Sequence, residues 1–230
     1  MARQERAGRT RAAIIDAAAE EFDRRGFAGA SLSDILKRAA VTKGALYFHF
    51  TSKEEIARTI IDEQFKVWQP LKDTSGLGLQ TVIDMTHDLG GLLQRDTRVR
   101  AGIRLVVEHG TFNDPAPAAY QQWIAAVEEC LVAARAKGDL RPGMVSLDVS
   151  TFIISSFTGV QISSQVLTER ADIQRRITSM WEIVLPGLVP PRRLAKFRPE
   201  GSAATTTTAT TTTATATSAR ATAAKAATAS

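Results

Sequence analysis

Lys43 opens a short segment, Val41-Thr42-Lys43-Gly44-Ala45-Leu46-Tyr47-Phe48-His49-Phe50, in which donors crowd one surface. A lysine in the first turn of a helix can donate to guanine O6 or N7 in a DNA major groove. Thr42, Tyr47 and His49 can donate to phosphate oxygens, which fixes register without reading bases. Gly44 has no side chain and lets backbone approach the groove floor. Ala45, Leu46 and Phe48 supply inward and groove-facing apolar surface, and Phe48 and Phe50 read as core. Arg3, Arg6, Arg9 and Arg11 stand against only Glu5 in the first dozen residues, a basic arm that can add phosphate contacts.

A second group of residues has the chemistry of a small-molecule site, an apolar space with a few polar tips. Ile56, Ile60, Gln64 and Trp68 recur at four-residue spacing, as do Ile154, Thr158 and Ile162. Trp123, Val127, Cys130 and Leu131 make a third apolar face. An amide on a core-facing stripe costs about 1–3 kcal/mol unless it finds a partner, and a ligand oxygen would serve Gln64. A mid-helix threonine such as Thr158 also has a partner in its own preceding carbonyl. Gln64, Trp123 and Thr158 are the polar tips, and Leu89, Leu92, Leu105 and Phe157 are wall candidates.

The elements that must position these groups are helices. Apolar residues recur at steps of three and four, with no convincing period-two stretch. A first helix is expected over 10–25, with Ile14, Ile15, Ala18 and Phe22 inward and Gly26 as its C-cap. A second starts near Ser31, helped by Asp34, and a third has Thr42 as N-cap. A fourth opens on the capping box Ser52-Lys53-Glu54-Glu55 and runs to about Trp68, where Pro70 stops it. Residues 73–78 read as a linker. Further helices are expected near 79–94, 97–109, 117–137, 147–167 and 172–185, with Pro186, Pro190 and Pro191 closing the globular part. The Thr/Ala stretch from 200 to 230 offers little to bury and reads as disordered.

The segment from about Thr10 to Ile56 resembles the DNA-binding domain of TetR-family repressors. The resemblance is carried by Ala17-Ala18 through Phe22, Gly26-Phe27, Ser31, Ile35, Thr42 to Phe50, and Lys53-Glu54. It implies an all-α protein of nine or ten helices: an N-terminal three-helix helix-turn-helix domain (1–52) and a larger C-terminal helical ligand-binding and dimerisation domain (53–192). It also implies a homodimer, formed by the last two long helices, on a pseudo-palindromic double-stranded DNA operator. The DNA-contact set is then Arg3, Arg6, Thr42, Lys43, Gly44, Ala45, Tyr47, His49 and Lys53. Val149, Phe152, Val160, Ile173, Ile177, Trp181 and Val184 are interface or core.

Further stretches are similar to the γ-butyrolactone receptors of Streptomyces: residues 1–7, 41–50, Asp62-Glu63-Gln64, Arg100 to Leu105, and Ser156 to Gln161. In those receptors the residues matching Gln64, Trp123 and Thr158 are associated with the ligand pocket, so a small apolar lactone-like ligand is the expected signal. The resemblance implies a repressor of antibiotic or secondary-metabolism genes that such a ligand releases. The alternative is a pseudo-receptor of the same fold answering to antibiotics, their intermediates or butenolides. Helix four, beginning beside the recognition helix and carrying Gln64, is the expected lever between ligand and DNA.

Other classes fit less well. The chain has 230 residues and a net charge of +5, compatible with nucleic acid. It shows no G-x-S-x-G elbow, P-loop, dinucleotide fingerprint or H-E-x-x-H. Ser155 to Gly159 resembles a serine elbow loosely and sits mid-helix. A lactone-processing enzyme is thus the weaker reading, as is a DNA binder without a ligand. No catalytic residue, metal or cofactor is expected. No apolar run of membrane-spanning length or signal-peptide h-region is found, and Cys130 has no partner for a disulfide, so a cytoplasmic protein is expected.

Overall fold

The computed structural model describes residues 2–64, 76–108 and 116–202, and the regular elements among them are helical. They are α1 (Ala2–Gly29), α2 (Leu32–Ala39), α3 (Lys43–His49), α4 (Lys53–Gln64), α5 (Leu79–Arg95), α6 (Thr97–Val107), α7 (Ala116–Ala136), α8 (Ser146–Thr168) and α9 (Ile173–Leu188), then a 3-10 turn over Pro191–Lys196.

The head is α1 to α3. Ile14, Ile15, Ala18 and Phe22 of α1 are buried with Ile35, Leu46 and Phe50. Local chemistry sets the turns: Ser31 Oγ accepts the Asp34 amide at 3.1 Å, and Thr42 Oγ1 accepts the Ala45 amide at 3.2 Å. Ala40 takes the left-handed conformation that ends α2. α1 differs from expectation at its start. It begins at Ala2 rather than Thr10, because the arm is made of strong helix formers. Thr10 sits inside it, donating to the Arg6 carbonyl at 3.0 Å. Gly26 breaks α1 at φ +70°, and a helical turn resumes to Gly29.

α4 begins as expected, with Ser52 Oγ accepting the Glu55 amide at 3.2 Å. The reciprocal bond is displaced by one residue: Glu55 Oε2 accepts from the Thr51 amide at 2.6 Å and from the Thr51 hydroxyl at 2.7 Å. These bonds hold the Glu55 carboxyl below its usual range. The expected continuation to Trp68, and most of the 73–78 linker, lie outside the described residues.

The body is α5 to α9. Ile177, Trp181 and Leu185 of α9 are buried, and Trp181 Nε1 donates to Thr86 Oγ1 of α5 at 2.8 Å. Pro186 does not end the globular part. It lies inside the last turn of α9, where Leu185, Leu188 and Val189 are buried around it. Nor does the body stop at 192. The Gln80 amide pairs with the Arg198 backbone, accepting its N–H at 2.9 Å and donating to its carbonyl at 3.3 Å. His87 Nε2 lies 2.8 Å from the Pro199 carbonyl, and Asp84 accepts the Ser202 amide at 2.7 Å. The expected disordered tail lies outside the described residues from 203 onward.

Candidate DNA-binding surface and ligand cavity

α3 presents its donors outward because Leu46 and Phe50, one turn apart, are both buried beneath it. Thr42, Lys43 and Gly44 are exposed at its N-terminus, and nothing lies within 4 Å of where a Gly44 side chain would begin. Lys43 Nζ lies 5.8 Å from the centre of the Tyr47 ring, which is 46% exposed. Ala45 and His49 are half-buried. Arg6 is exposed on α1, and the side chain of Arg3 lies outside the described residues.

Two expectations change. Phe48 is not core: it is 76% exposed, its ring edge-on to His49 at 5.0 Å. Lying two residues from both Leu46 and Phe50, it must point away from them on a helix of 3.6 residues per turn. Phe50 is core, with Arg11 over its ring at 5.2 Å. Lys53 is not a free phosphate hook. Its ammonium donates to the Phe27 and Ala30 carbonyls, both at 2.8 Å, and lies 4.2 Å from the Phe27 ring centre. It fastens the end of α1 to the start of α4.

In the body, α5, α6, α7 and α8 enclose an apolar cavity of about 20 Å³. That is room for about one water. Leu89, Trp123, Phe157 and Thr158 line it, together with Val82, Met85, Thr86, Ile103, Val127, Ile154 and Gln161. Leu105 is fully buried elsewhere, two residues and about 200° round α6 from Ile103. Leu92, one turn beyond Leu89, packs against the core but does not reach the cavity. The Gln64 side chain and Trp68 lie outside the described residues.

The polar groups of the cavity are unequal. Thr158 Oγ1 donates to the Ile154 carbonyl at 2.8 Å, so Tyr120, 3.2 Å away, must be the donor in their contact. The Tyr120 ring tilts against Trp123 at 5.6 Å. Thr86 accepts from Trp181 and donates to the Ile83 carbonyl at 2.7 Å. Gln161 is different. It is 4% exposed, and its amide makes no side-chain hydrogen bond among the described residues. Gln161 is thus the described amide on a cavity-facing stripe, a position that a strict four-residue step from Ile154 passes by. It lies seven residues after Ile154, on the true face of α8.

Head and body meet chiefly where α1 lies on α6. Arg98 holds Asp16 at 2.6 Å and Glu63 at 3.3 Å. Arg100 holds Asp23 at 2.8 Å, and Arg104 donates to the Asp23 carbonyl at 2.6 Å. The same helix contributes Ile103 to the cavity.

The candidates at the C-terminal helices divide, although Val160 and Val184 also pack against the core. Val149, Ile173, Ile177 and Trp181 are core, whereas Phe152, Val160 and Val184 line an open groove with Ile183, which is 79% exposed.

Residues 14–60 match the model of the bacterial regulatory proteins of the tetR family, and 76–190 match a tetracyclin repressor-like C-terminal domain. The A-factor receptor protein of Streptomyces griseus is 38% identical over 201 residues, 87% of this chain and 71% of that one. Among solved structures, the TetR regulator TylP from Streptomyces fradiae aligns at 40% identity and a TM-score of 0.72, covering 86% of this chain and 87% of that chain. A γ-butyrolactone receptor described as ArpA-like aligns at 33% identity and a TM-score of 0.68, covering 83% and 93%. These relatives are regulators rather than enzymes, and with the helix-turn-helix surface of α3 they place the chain in the TetR family of DNA-binding transcriptional regulators.

Proposed function

We propose that this regulator is a repressor released from its operator by a γ-butyrolactone-type molecule bound in the apolar cavity, and that it controls antibiotic production or secondary metabolism. The observation that carries the reading is Gln161, a residue only 4% exposed whose amide makes no side-chain hydrogen bond among the described residues, in a cavity whose other walls are largely apolar. A lactone carbonyl or hydroxyl would supply the missing hydrogen bond, and an acyl chain would lie along Leu89, Ile103, Trp123 and Phe157. The likeness to a receptor named for A-factor and to a γ-butyrolactone receptor supports the same ligand class.

The cavity as described is far smaller than the several hundred Å³ of a usual ligand site. Occupancy must therefore move its walls, and Ile103 makes α6 one of them. α6 holds α1 through Arg98, Arg100 and Arg104, so a shift there reaches the head directly. In this reading residues 1–52 form the DNA-binding domain and 53–202 the ligand and dimer domain. Phe152, Val160, Ile183 and Val184 meet their copies in a homodimer, acting in the cytoplasm. The dimer presents two copies of α3 about 34 Å apart on a pseudo-palindrome. A ligand shifts the balance only by its differential affinity for the released form.

The test is a gel-shift on the protein's own promoter with butyrolactones, butenolides and antibiotic intermediates. Release by a butyrolactone is the expected result. Release only by an antibiotic or intermediate would transfer the same fold to the pseudo-receptor reading.

A further inference from the structure

A second cavity lies on the other side of Ile103 and Gln161. It is an open cleft of about 450 Å³ between α1, α6 and α8, and its lining includes Asp23, Arg104, Glu108, Gln165 and Arg170 as well as those two shared residues. That volume falls within the range of small-molecule sites. Its lining combines apolar side chains, Ile103, Val107, Ile162 and Val166, with the charged groups of Asp23, Arg104, Glu108 and Arg170.

The charges there are not balanced. Arg104 is paired with Glu108 at 2.5 Å, and Asp23 is held by Arg100 at 2.8 Å. Arg170 is left over. Its Nε is buried with no hydrogen-bond partner, and among the described residues its guanidinium makes no ion pair. Burial pushes the Arg170 guanidinium below its usual range, against the attraction of Asp23. Its backbone sits at φ +69°, an uncommon conformation for a side-chain-bearing residue, fixed by an N–H bond to the Ser164 carbonyl at 3.1 Å and by Gln94 donating to its carbonyl at 2.9 Å. The buried Nε donor without an acceptor is costly, because its unmade hydrogen bond is lost in full, while the rest of the half-buried guanidinium stays open to a ligand.

We propose that this second cavity binds an amphipathic carboxylate, with the carboxylate on Arg170 and the acyl body along Ile103, Val107, Ile162 and Val166. A carboxylate matches the guanidinium fork in two parallel bonds. A neutral ligand would leave Arg170 uncompensated, and an amine would add a third positive charge beside Arg104 and Arg170. The site shares Ile103 and Gln161 with the apolar cavity, whereas Arg170, which takes the carboxylate, lines only the second one.

The test is calorimetric titration of the full chain with decanoate below its micelle-forming concentration, beside decanol and decylammonium. Decanoate is expected to bind once per chain, and decanol and decylammonium more weakly. Arg170→Gln should weaken decanoate about tenfold or more and leave decanol unchanged. Val107→Trp, which fills space beside the apolar side chains, should weaken both, with circular dichroism checking that each variant folds. Thr158→Val, in the first cavity, should change neither. Absence of decanoate binding by the wild type would overturn the proposal. So would equal binding by Arg170→Gln, or loss on Thr158→Val instead, which would seat the carboxylate in the first cavity. A failure of butyrolactones to release the operator would leave this titration untouched.

Discussion

Glu108 Oε2 accepts the backbone N–H of Phe27 at 3.3 Å, while Oε1 of the same carboxylate holds Arg104 at 2.5 Å. The bond joins the DNA-binding head to the end of α6, whose Ile103 walls the apolar cavity. It also explains Gly26: a side chain there would begin 2.4 Å from the Glu108 carboxylate, at a φ of +70°. Among the described residues, the apolar cavity and the head are thus connected through α6 and α1.

Gly26→Ala should destabilise the protein by about 1 kcal/mol or more from backbone strain alone, with the crowding of Glu108 added. Glu108→Ala should cost about 1–3 kcal/mol by removing the acceptor of Phe27 and the partner of Arg104. Because the second change removes the crowding that the first suffers, the double variant should lose less than the sum. Urea denaturation of all four proteins measures the coupling. Strict additivity would mean that the two residues do not share the contact.

Lys43→Ala should weaken operator binding by about 1–3 kcal/mol and relax base preference near its contact. Tyr47→Phe should weaken binding across sequences alike, as loss of a phosphate bond does. Phe48, unexpectedly exposed, should behave as an apolar groove contact: Phe48→Ala should lower operator affinity without lowering the melting temperature. Fluorescence anisotropy with operator and scrambled duplexes separates these effects. A large drop in stability on Phe48→Ala would return that ring to the core.

Gln161→Leu removes the unpartnered amide and keeps the volume, so the apo protein should be as stable as the wild type or more so. Ligand-induced release should weaken by about tenfold, the value of one hydrogen bond to a buried partner. Thr158→Val should have a smaller effect, since that hydroxyl already serves Ile154 and Tyr120. Dose–response curves for release check the order. A larger loss from Thr158 than from Gln161 would reverse their roles.

Asp172 ties the turn between α8 and α9, accepting from Ser164 at 2.8 Å, Thr168 at 2.7 Å and Arg176 at 2.8 Å. Its bonds to Arg176, Thr168 and Ser164 hold the carboxyl well below its ordinary 3.8. A carboxyl lowered in the folded state stabilises at pH values above its unfolded value and loses that contribution as pH falls toward the folded one. Asp172→Asn should therefore melt at a lower temperature than the wild type at pH 7. The gap should narrow as pH falls below about 4. Thermal melts from pH 7 to pH 3 follow it, and a gap that stayed constant would exclude the carboxylate as its source.

What the sequence made legible was local. Ser31 and Thr42 announce their helices because a hydroxyl before a helix has one good use, and the structure puts both there. The cavity was half legible, for a geometric reason. A strict four-residue step advances about 400° per step, so Ile154, Thr158 and Ile162 drift off one face. Ile162 ends 41% exposed, whereas Ile154, Phe157, Thr158 and Gln161 share the cavity. Lys53 was hidden because its partners, the carbonyls of Phe27 and Ala30, become neighbours only once α1 turns at Gly26. Pro186 misled because burial of Leu185, Leu188 and Val189 outweighs the loss of one backbone bond in the final turn of α9.

The central claim is that a small lactone in the Gln161 cavity lowers affinity for DNA. Its most direct measurement is operator anisotropy with the wild type and with Gln161→Leu, titrated with a γ-butyrolactone carrying an acyl chain. The expected result is tight operator binding by both proteins, release of the wild type, and release of the variant only at about tenfold higher lactone. A wild type that stays on its operator at saturating lactone, or a variant released as readily as the wild type, would contradict it.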